Sequence, residues 1–330
     1  YQARHTALKA GIGIHVPAYN VNRLCTSGFQ AIVEAANLLQ LGEGDFMVAA
    51  GTESMSRAPH VLWGARFGLP LGQCNMSDLL MDALTDGHAG LQMALTAEKL
   101  GECYGIIREA VDEYAYLSQM RAKEAAEGGR FAEEIMPVEF ADRKGKLFTF
   151  IADEHPRHDT TLESLSKLKP YFKKDGVVTA GNASGICDGA GAVVLTTMER
   201  AQAEGLEPIG RLVAWTAVGV EPSIMGIGPA PASRKALERA GLTWDEIDLI
   251  EVNEAFAVQY LAVEKELELD RSKVNVNGGA VAIGHPLGAT GIRLTTTLLC
   301  ELRRRGARYG LATACAGGGQ GMALVVEALP

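Results

Sequence analysis

"NVNRLCTSGFQAIVEAANLLQ", residues 20–40, runs from a short β-branched stretch through a cysteine into Thr-Ser-Gly and then an amphipathic segment. Phe29, Ile32, Val33 and Ala36 fall at i, i+3, i+4 and i+7, which puts one apolar stripe on a helix starting just after Cys25. "FMVAA" (46–50) follows as a buried-strand run ending in Gly51. Residues 17–50 therefore predict strand, turn, helix, strand: a βαβ unit, and with it a parallel sheet. Cys25, at the strand-to-helix junction, has two readings. Free cysteine is among the most buried residue types, so one reading makes it a small packed residue. In the other, a thiol at a helix N-terminus meets unpaired N–H groups and the positive end of the macrodipole, which favour the thiolate.

The arrangement returns near the C-terminus. "VNVNGG" (274–279) echoes "NVNRLC" and leads through a glycine-rich loop to a helical stretch, 287–304, in which Leu294, Leu298 and Leu302 form an apolar row. Arg303, Arg304 and Arg305 place cations on its last carbonyls, and Gly306 suits the position after them. "GLATAC" (310–315) comes next as a strand, as "FMVAAG" did. The two sets predict an internal duplication, two similar α/β halves about a pseudo-twofold axis. Between them, 55–183 has a different character. It holds one long helical stretch, 96–129, with a break expected at Gly105. A loop-rich basic part follows, with Arg157, His158, Lys167, Lys169, Lys173 and Lys174, which is either where an anionic ligand docks or a solvated charged surface.

Composition narrows the classes. At 330 residues, 47% hydrophobic and 22% charged, the chain reads as soluble and globular, with room for two core-bearing domains. No apolar run approaches the roughly 18 residues of a membrane helix, so no span is expected. A net charge of −9 argues against a general nucleic-acid binder. The six cysteines lack close pair spacing, so neither a disulfide framework nor a zinc ribbon is indicated, and a reducing compartment is the expectation. "YQARHTALKAGI" at the start has no initiator Met and no signal-peptide pattern, and reads as the middle of a helix ending at Gly11. The expectation is that something preceded it, and that any targeting segment belonged to that part.

Glycine, 38 residues in all, clusters around the rarer chemical side chains in "TAGNASGICDGAGA" (179–192), "NVNGGAVAIGHPLGATG" (275–291) and "CAGGGQG" (315–321). Such loops let a backbone approach a ligand and present its N–H groups. None matches the P-loop or a strand-linked dinucleotide fingerprint. The duplication puts Cys25 and His285 in equivalent places, each at the start of a helix facing the shared interface. Cys315, directly after a strand, approaches from the C-terminal half. Two thiols and an imidazole suggest nucleophilic thiol catalysis with a second acid/base. The rival is a Cys2His metal site, for which ligand spacing and supporting carboxylates are not apparent.

"NRLCTSGFQAI", "AAGTESMSRAPH", "VTAGNASGICDGAGA", "EVNEAFA", "NVNGGAVAIGHPLGATGIR" and "CAGGGQG" resemble, in order, the signature segments of the thiolases, closest to the degradative 3-ketoacyl-CoA and acetyl-CoA acetyltransferase group. The resemblance runs through the whole chain. It implies two βαβαβαββ halves in a layered αβαβα sandwich with an inserted loop domain. The boundaries are 1–54 plus 185–206 for the N-terminal half, 55–184 for the loop domain that holds coenzyme A, and 207–330 for the C-terminal half. It implies Cys25 as the acylated nucleophile, Cys315 as the second, proton-moving thiol, and His285 and Asn253 as the other two catalytic positions. The N–H groups of Cys25 and Gly317 match the backbone oxyanion hole. Arg157, Ser184, Phe172 and Met93 match positions lining the coenzyme A tunnel. Gly28 is read as letting the helix start come close to the substrate.

The implied reaction is reversible ping-pong transfer: a 3-ketoacyl-CoA and coenzyme A give acetyl-CoA and a shortened acyl-CoA through an acyl-cysteine. Coenzyme A is a substrate, and no metal or redox cofactor is implied. The implied assembly is a homodimer or homotetramer, with no nucleic-acid partner, in a bacterial-type cytoplasm or in a mitochondrion. The chain lacks the strand and helices with which the family begins, so the N-terminal half is expected to expose strand edges. Gln92-Met93-Ala94 stands where many biosynthetic acetoacetyl-CoA thiolases carry His-Met-Gly, which leans the reading toward broader 3-ketoacyl-CoA use. Condensation of two acetyl-CoA is the alternative. Ketoacyl synthases share the fold, but Cys315 and "NEAF" oppose that reading. A catalytically silent partner subunit is the remaining class.

Overall fold

The computed structural model describes residues 1–69, 71–72 and 74–330. Its largest sheet is built around Tyr309–Ala316, which pairs in parallel with Leu249–Val252 and antiparallel with Gln320–Ala328; Gly210–Gly219 then closes the order on the far side of Gln320–Ala328. Both faces of this sheet are covered. Leu311, Ala323 and Val325 pack into one apolar core, while Ala312, Leu324 and Val326 pack into another. That is why these strands read as unbroken apolar runs rather than as alternating ones.

The second sheet has two strands, Phe46–Ser54 and Asp188–Thr196, antiparallel, with Val48 opposite Val194. Between the two sheets lie two long helices, Ser27–Gln40 and Leu287–Arg305, and their apolar faces form the intervening core with Phe29, Ile32, Val33, Ile292, Leu294, Leu298 and Leu302. Helices Pro229–Ala240 and Ala257–Leu267 cover the other face of the large sheet. The duplication is thus visible in the elements: Phe46–Ser54 matches Tyr309–Ala316, and Asp188–Thr196 matches Gln320–Ala328. Among the described residues, no strand of the small sheet stands where Gly210–Gly219 and Leu249–Val252 stand in the large one. The outer face of the small sheet is uncovered, with Val48 54% and Val194 67% exposed.

Several expectations need correction. Residues 17–23 form no strand, and the chain enters Ser27–Gln40 through a 3-10 turn, Leu24–Thr26. "VNV" at 274–276 contributes only an isolated bridge, Val274 to Ile250. The βαβ units are therefore not formed by these stretches, and Phe46–Ser54 has an antiparallel partner. The cause is local. Leu24 and Asn275 take positive φ values of 48° and 47°, and Asn22 Oδ1 accepts from Leu24 N–H, so each segment turns instead of extending. Asn275 then uses its side chain in place of a ladder: Oδ1 accepts from Val252 N–H and Nδ2 donates to Val252 O. On Ser27–Gln40, Ala35 rather than Ala36 is buried, a shift of one residue in the edge of the stripe.

The long helical stretch does break at Gly105, which caps Met93–Tyr104 in the left-handed region at φ 63° before Arg108–Glu127 begins. Both helices join the core of the C-terminal half, where Tyr114 stacks on Tyr260 with ring centroids 3.9 Å apart. The N-terminal helix, Gln2–Lys9, buries no residue and ends before Gly11.

Candidate active site

The starts of the two central helices meet main chain to main chain. A Cβ on Gly291 would lie 2.1 Å from Phe29 N, and one on Gly28 would lie 2.7 Å from Ile292 N. Gly28 therefore serves the approach of the opposite helix; the expectation that it opens the way to substrate is corrected by the backbone that stands there. This crossing brings together the turns that carry Cys25 and His285. Glu53 ties them: its Oε2 accepts from Gly288 N–H at 3.1 Å, and its charge acts on the Cys25 thiol.

Cys25 and Cys315 are both buried. Burial pushes the Cys25 thiol up to about 11, against the lowering influence of the Gly317 N–H and its own N–H. The expectation that the helix start favours the thiolate is thus reversed: removal from water outweighs the two donors, and Glu53 opposes them further. Burial also raises the Cys315 thiol, with the neighbouring Cys25 adding to the effect. Cys315 packs with Met225 and Ala255, and Met93 and Phe256 close over them. Met93 and Leu24 also flank Gly317, whose added Cβ would meet Leu24 Cδ1 at 3.2 Å and Met93 Sδ at 3.4 Å.

His285 is held by two side chains. Its Nδ1 lies 2.7 Å from Thr290 Oγ1, and that hydroxyl donates to the Pro286 carbonyl at 3.3 Å. Thr290 therefore accepts from Nδ1–H, and the network assigns the lone pair to Nε2. Asn253 Nδ2 lies 3.3 Å from that Nε2, and Asn253 Oδ1 is buried without a protein partner. Burial, reinforced by the Arg293 charge, pushes the imidazole down to about 3. The pair is accordingly a neutral thiol and a neutral imidazole, an arrangement in which a proton moves only when an acceptor for the developing charge is in place.

The remaining sequence-derived positions lie at different depths. Ser184 donates its N–H to Ala255 O, two residues beyond Asn253, and Met93 borders Gly317 as described. Arg157 is exposed and fixed through its N–H to Gln119 Oε1, whose amide also donates to Val281 O. Phe172 is half-buried against the large core and meets Tyr171 edge-on. In the basic stretch, Lys167 pairs with Glu163 and Lys173 with Glu102. Among the described residues, no group of three or more His, Cys, Asp and Glu side chains stands where it could hold a metal ion, and no helix is long and apolar enough to cross a membrane. Thr290 was missed in the sequence because its role depends on the first turn of the helix folding back on the ring, five residues after His285. Glu53 was missed because it reaches Gly288 only across the helix crossing.

Comparison with known proteins places the whole chain in one family. The thiolase N-terminal domain model matches residues 1–199, and the thiolase C-terminal domain model matches 206–328. A human protein named mitochondrial 3-ketoacyl-CoA thiolase is 51% identical over 328 residues, covering 99% of this chain and 82% of that one. An acetyl-CoA acetyltransferase of Allochromatium vinosum is 51% identical over 326 residues, with 98% and 83% covered. Among solved structures, human mitochondrial 3-ketoacyl-CoA thiolase in complex with CoA superposes with a TM-score of 0.96 at 50% identity, covering 100% of this chain and 82% of that one. The Bacillus anthracis acetyl-CoA acetyltransferase gives a TM-score of 0.97 at 50% identity, with 99% and 83% covered.

Proposed function

This chain belongs to the thiolase family, and from that premise we propose that Cys25, His285, Cys315 and Asn253 are the side chains through which it works. The activity is acyl transfer: a 3-ketoacyl-CoA and coenzyme A are converted to acetyl-CoA and an acyl-CoA shortened by two carbons. The observation that carries the assignment of roles is the fixed tautomer of His285, which leaves the Nε2 lone pair on the side of Asn253.

In the forward direction His285 takes the Cys25 proton, and the sulfur attacks the 3-keto carbon. The N–H groups of Cys25 and Gly317 receive the oxyanion. Cleavage of the Cα–Cβ bond leaves an acetyl-CoA enolate, which His285 and Asn253 stabilise; such a donor is typically worth on the order of 100- to 1000-fold in rate. Cys315 protonates the carbanion and then takes the proton of the incoming coenzyme A thiol, which attacks acyl-Cys25. Coenzyme A is a substrate, and the reaction draws on no resident cofactor. Arg157, Ser184, Phe172 and Met93 are proposed to contact it. A homodimer, or a tetramer of such dimers, is the proposed assembly, and a bacterial cytoplasm the proposed compartment.

Thiolysis of acetoacetyl-CoA tests the reading. Adding coenzyme A is expected to abolish the enolate absorbance with wild-type protein and not with Cys25→Ala; no turnover by folded wild-type protein would sink the catalytic assignment. Mass spectrometry after incubation with acetyl-CoA is expected to find one acetyl group, on Cys25. An adduct on Cys315 would reverse the roles of the two thiols. Cys315→Ala is expected to be acylated but to turn over poorly.

A further inference from the structure

Behind each set of oxyanion donors lies a carboxylate that touches neither thiol nor imidazole. Glu254 follows Asn253 and is fully buried. Its Oε1 accepts from Tyr114 Oη at 2.7 Å and Asn275 Nδ2 at 2.9 Å; its Oε2 accepts from Ser118 Oγ at 2.7 Å and Val281 N–H at 3.0 Å. Ser118 Oγ is in turn an acceptor for Gly279 N–H, so its own hydrogen is committed to Glu254. Both oxygens only accept, and one of the four donors, Val281, lies on the segment leading to His285. Glu254 thus joins the loop carrying Asn253 to the loop carrying His285. There is no slack around it, since a Cβ on Gly279 would lie 2.3 Å from its Cδ.

Asp86, in the inserted region, is buried on the other side of the site. Its Oδ1 accepts from His88 N–H at 2.8 Å and Ala89 N–H at 2.9 Å, which fixes its own loop, and its Oδ2 accepts from Gly318 N–H at 3.2 Å. Gly318 follows Gly317, so this contact fixes the peptide that leaves Gly317, next in the chain to the one that carries the Gly317 N–H. An oxyanion site is effective only if its donors are aimed before charge develops, and a shift of about 1 Å can cost on the order of 100-fold in rate.

We propose that Glu254 and Asp86 are positioning residues, Glu254 for the Asn253 amide that stabilises the enolate, His285 keeping its own support from Thr290, and Asp86 for the Gly317 N–H that stabilises the tetrahedral intermediate on Cys25. The inference rests on the roles proposed above for Cys25, His285, Asn253 and Gly317. It makes the two variants separable, because the Gly317 N–H serves both half-reactions and Asn253 only the one that forms the enolate. Exchange of the acetyl group between acetyl-CoA and labelled coenzyme A needs only formation and breakdown of acyl-Cys25. Thiolysis of acetoacetyl-CoA also needs the enolate.

The experiment compares both rates, with melting temperature, in wild type, Glu254→Gln, Asp86→Asn, Cys25→Ala and Leu302→Ala. The last removes a buried side chain at the far end of its helix and serves as a control for lost stability alone. Glu254→Gln sets an amide NH2 against existing donors, and is expected to lower thiolysis kcat by on the order of 100-fold while exchange stays within about threefold. Asp86→Asn is expected to lower exchange and thiolysis together by at least tenfold, as an order of magnitude for one misaimed donor. Leu302→Ala is expected to change neither ratio. Equal slowing of both reactions by Glu254→Gln, or normal exchange in Asp86→Asn, overturns the inference. If Glu254→Gln does not fold, Tyr114→Phe removes a single donor and must give the same selective loss of thiolysis, at about tenfold, or the inference falls. Exchange that persists in Cys25→Ala overturns the underlying reading instead.

Discussion

Cys25 and His285 occupy matching turns at the starts of two crossing helices, yet burial moves them in opposite senses: the thiol is pushed up to about 11 and the imidazole down to about 3. The difference follows from charge type. Burial disfavours whichever form is charged, and that is the deprotonated thiol in one case and the protonated ring in the other. One environment, applied to two side chains, yields a thiol that keeps its proton and an imidazole that carries none on Nε2. Position in the duplicated fold supplies the convergence. Residue type alone supplies the chemistry.

The harshest way to test this contrast is to remove the base and keep the nucleophile. His285→Ala is expected to lower thiolysis kcat by about 100- to 10,000-fold with the protein still folded; a loss under tenfold would mean that Cys25 is activated by another group. The low value of the ring also has a consequence for stability. The unfolded chain binds a proton at His285 below about pH 6.5, the native chain only near 3, so stability falls as the pH drops through that window, by up to a few kcal/mol. In urea unfolding at pH 7 and pH 4.5, His285→Gln should therefore lose less stability on acidification than wild type. An equal loss would place the ring in a wetter setting.

The crossing itself is open to test by adding one methyl group. Gly291→Ala is expected to destabilise the protein by about 1–3 kcal/mol, because the new Cβ meets main chain that cannot rotate away. Gly87→Ala, with open space around it, should stay within about 0.5 kcal/mol of wild type, and similar melting of the two variants would break the account of the helix contact. The gentlest change is Thr290→Val, which takes away the acceptor of Nδ1–H. A loss of roughly fivefold in kcat is expected, the rate equivalent of one hydrogen bond of about 1 kcal/mol. Unchanged kcat would show that the ring orientation is set by packing alone.

The parts of the fold that were legible in the sequence are those governed by one-dimensional pattern. The Leu294, Leu298, Leu302 row, the break at Gly105 and the apolar strand runs all appear where the periodicity placed them. The strands expected before each helix were illegible because side chains replaced backbone: Asn22 and Asn275 bond to main chain and turn segments whose composition favours extension. At the site, the duplication and the glycine loops singled out Cys25, His285 and Cys315 from residue type and order. Asn253 and Gly317 came only from the family resemblance, since an asparagine after a strand and one glycine among three carry no signal of their own. The rise of the Cys25 thiol was unreadable for a different reason. It comes from elements far apart in the chain, and the local helix start pointed the other way.

The glycine crossing separates two properties that most enzymes must change together. The contact that fixes the catalytic turns is made by main-chain atoms at Gly28, Gly291, Gly51 and Gly288, whereas the wall beside Gly317 is made by the side chains of Leu24 and Met93. Substitutions in that wall can reshape the space beside Gly317 while the anchoring atoms, common to every residue type, stay as they are. A change of shape beside Gly317 can therefore be made at one set of positions while the helix contact is left to another.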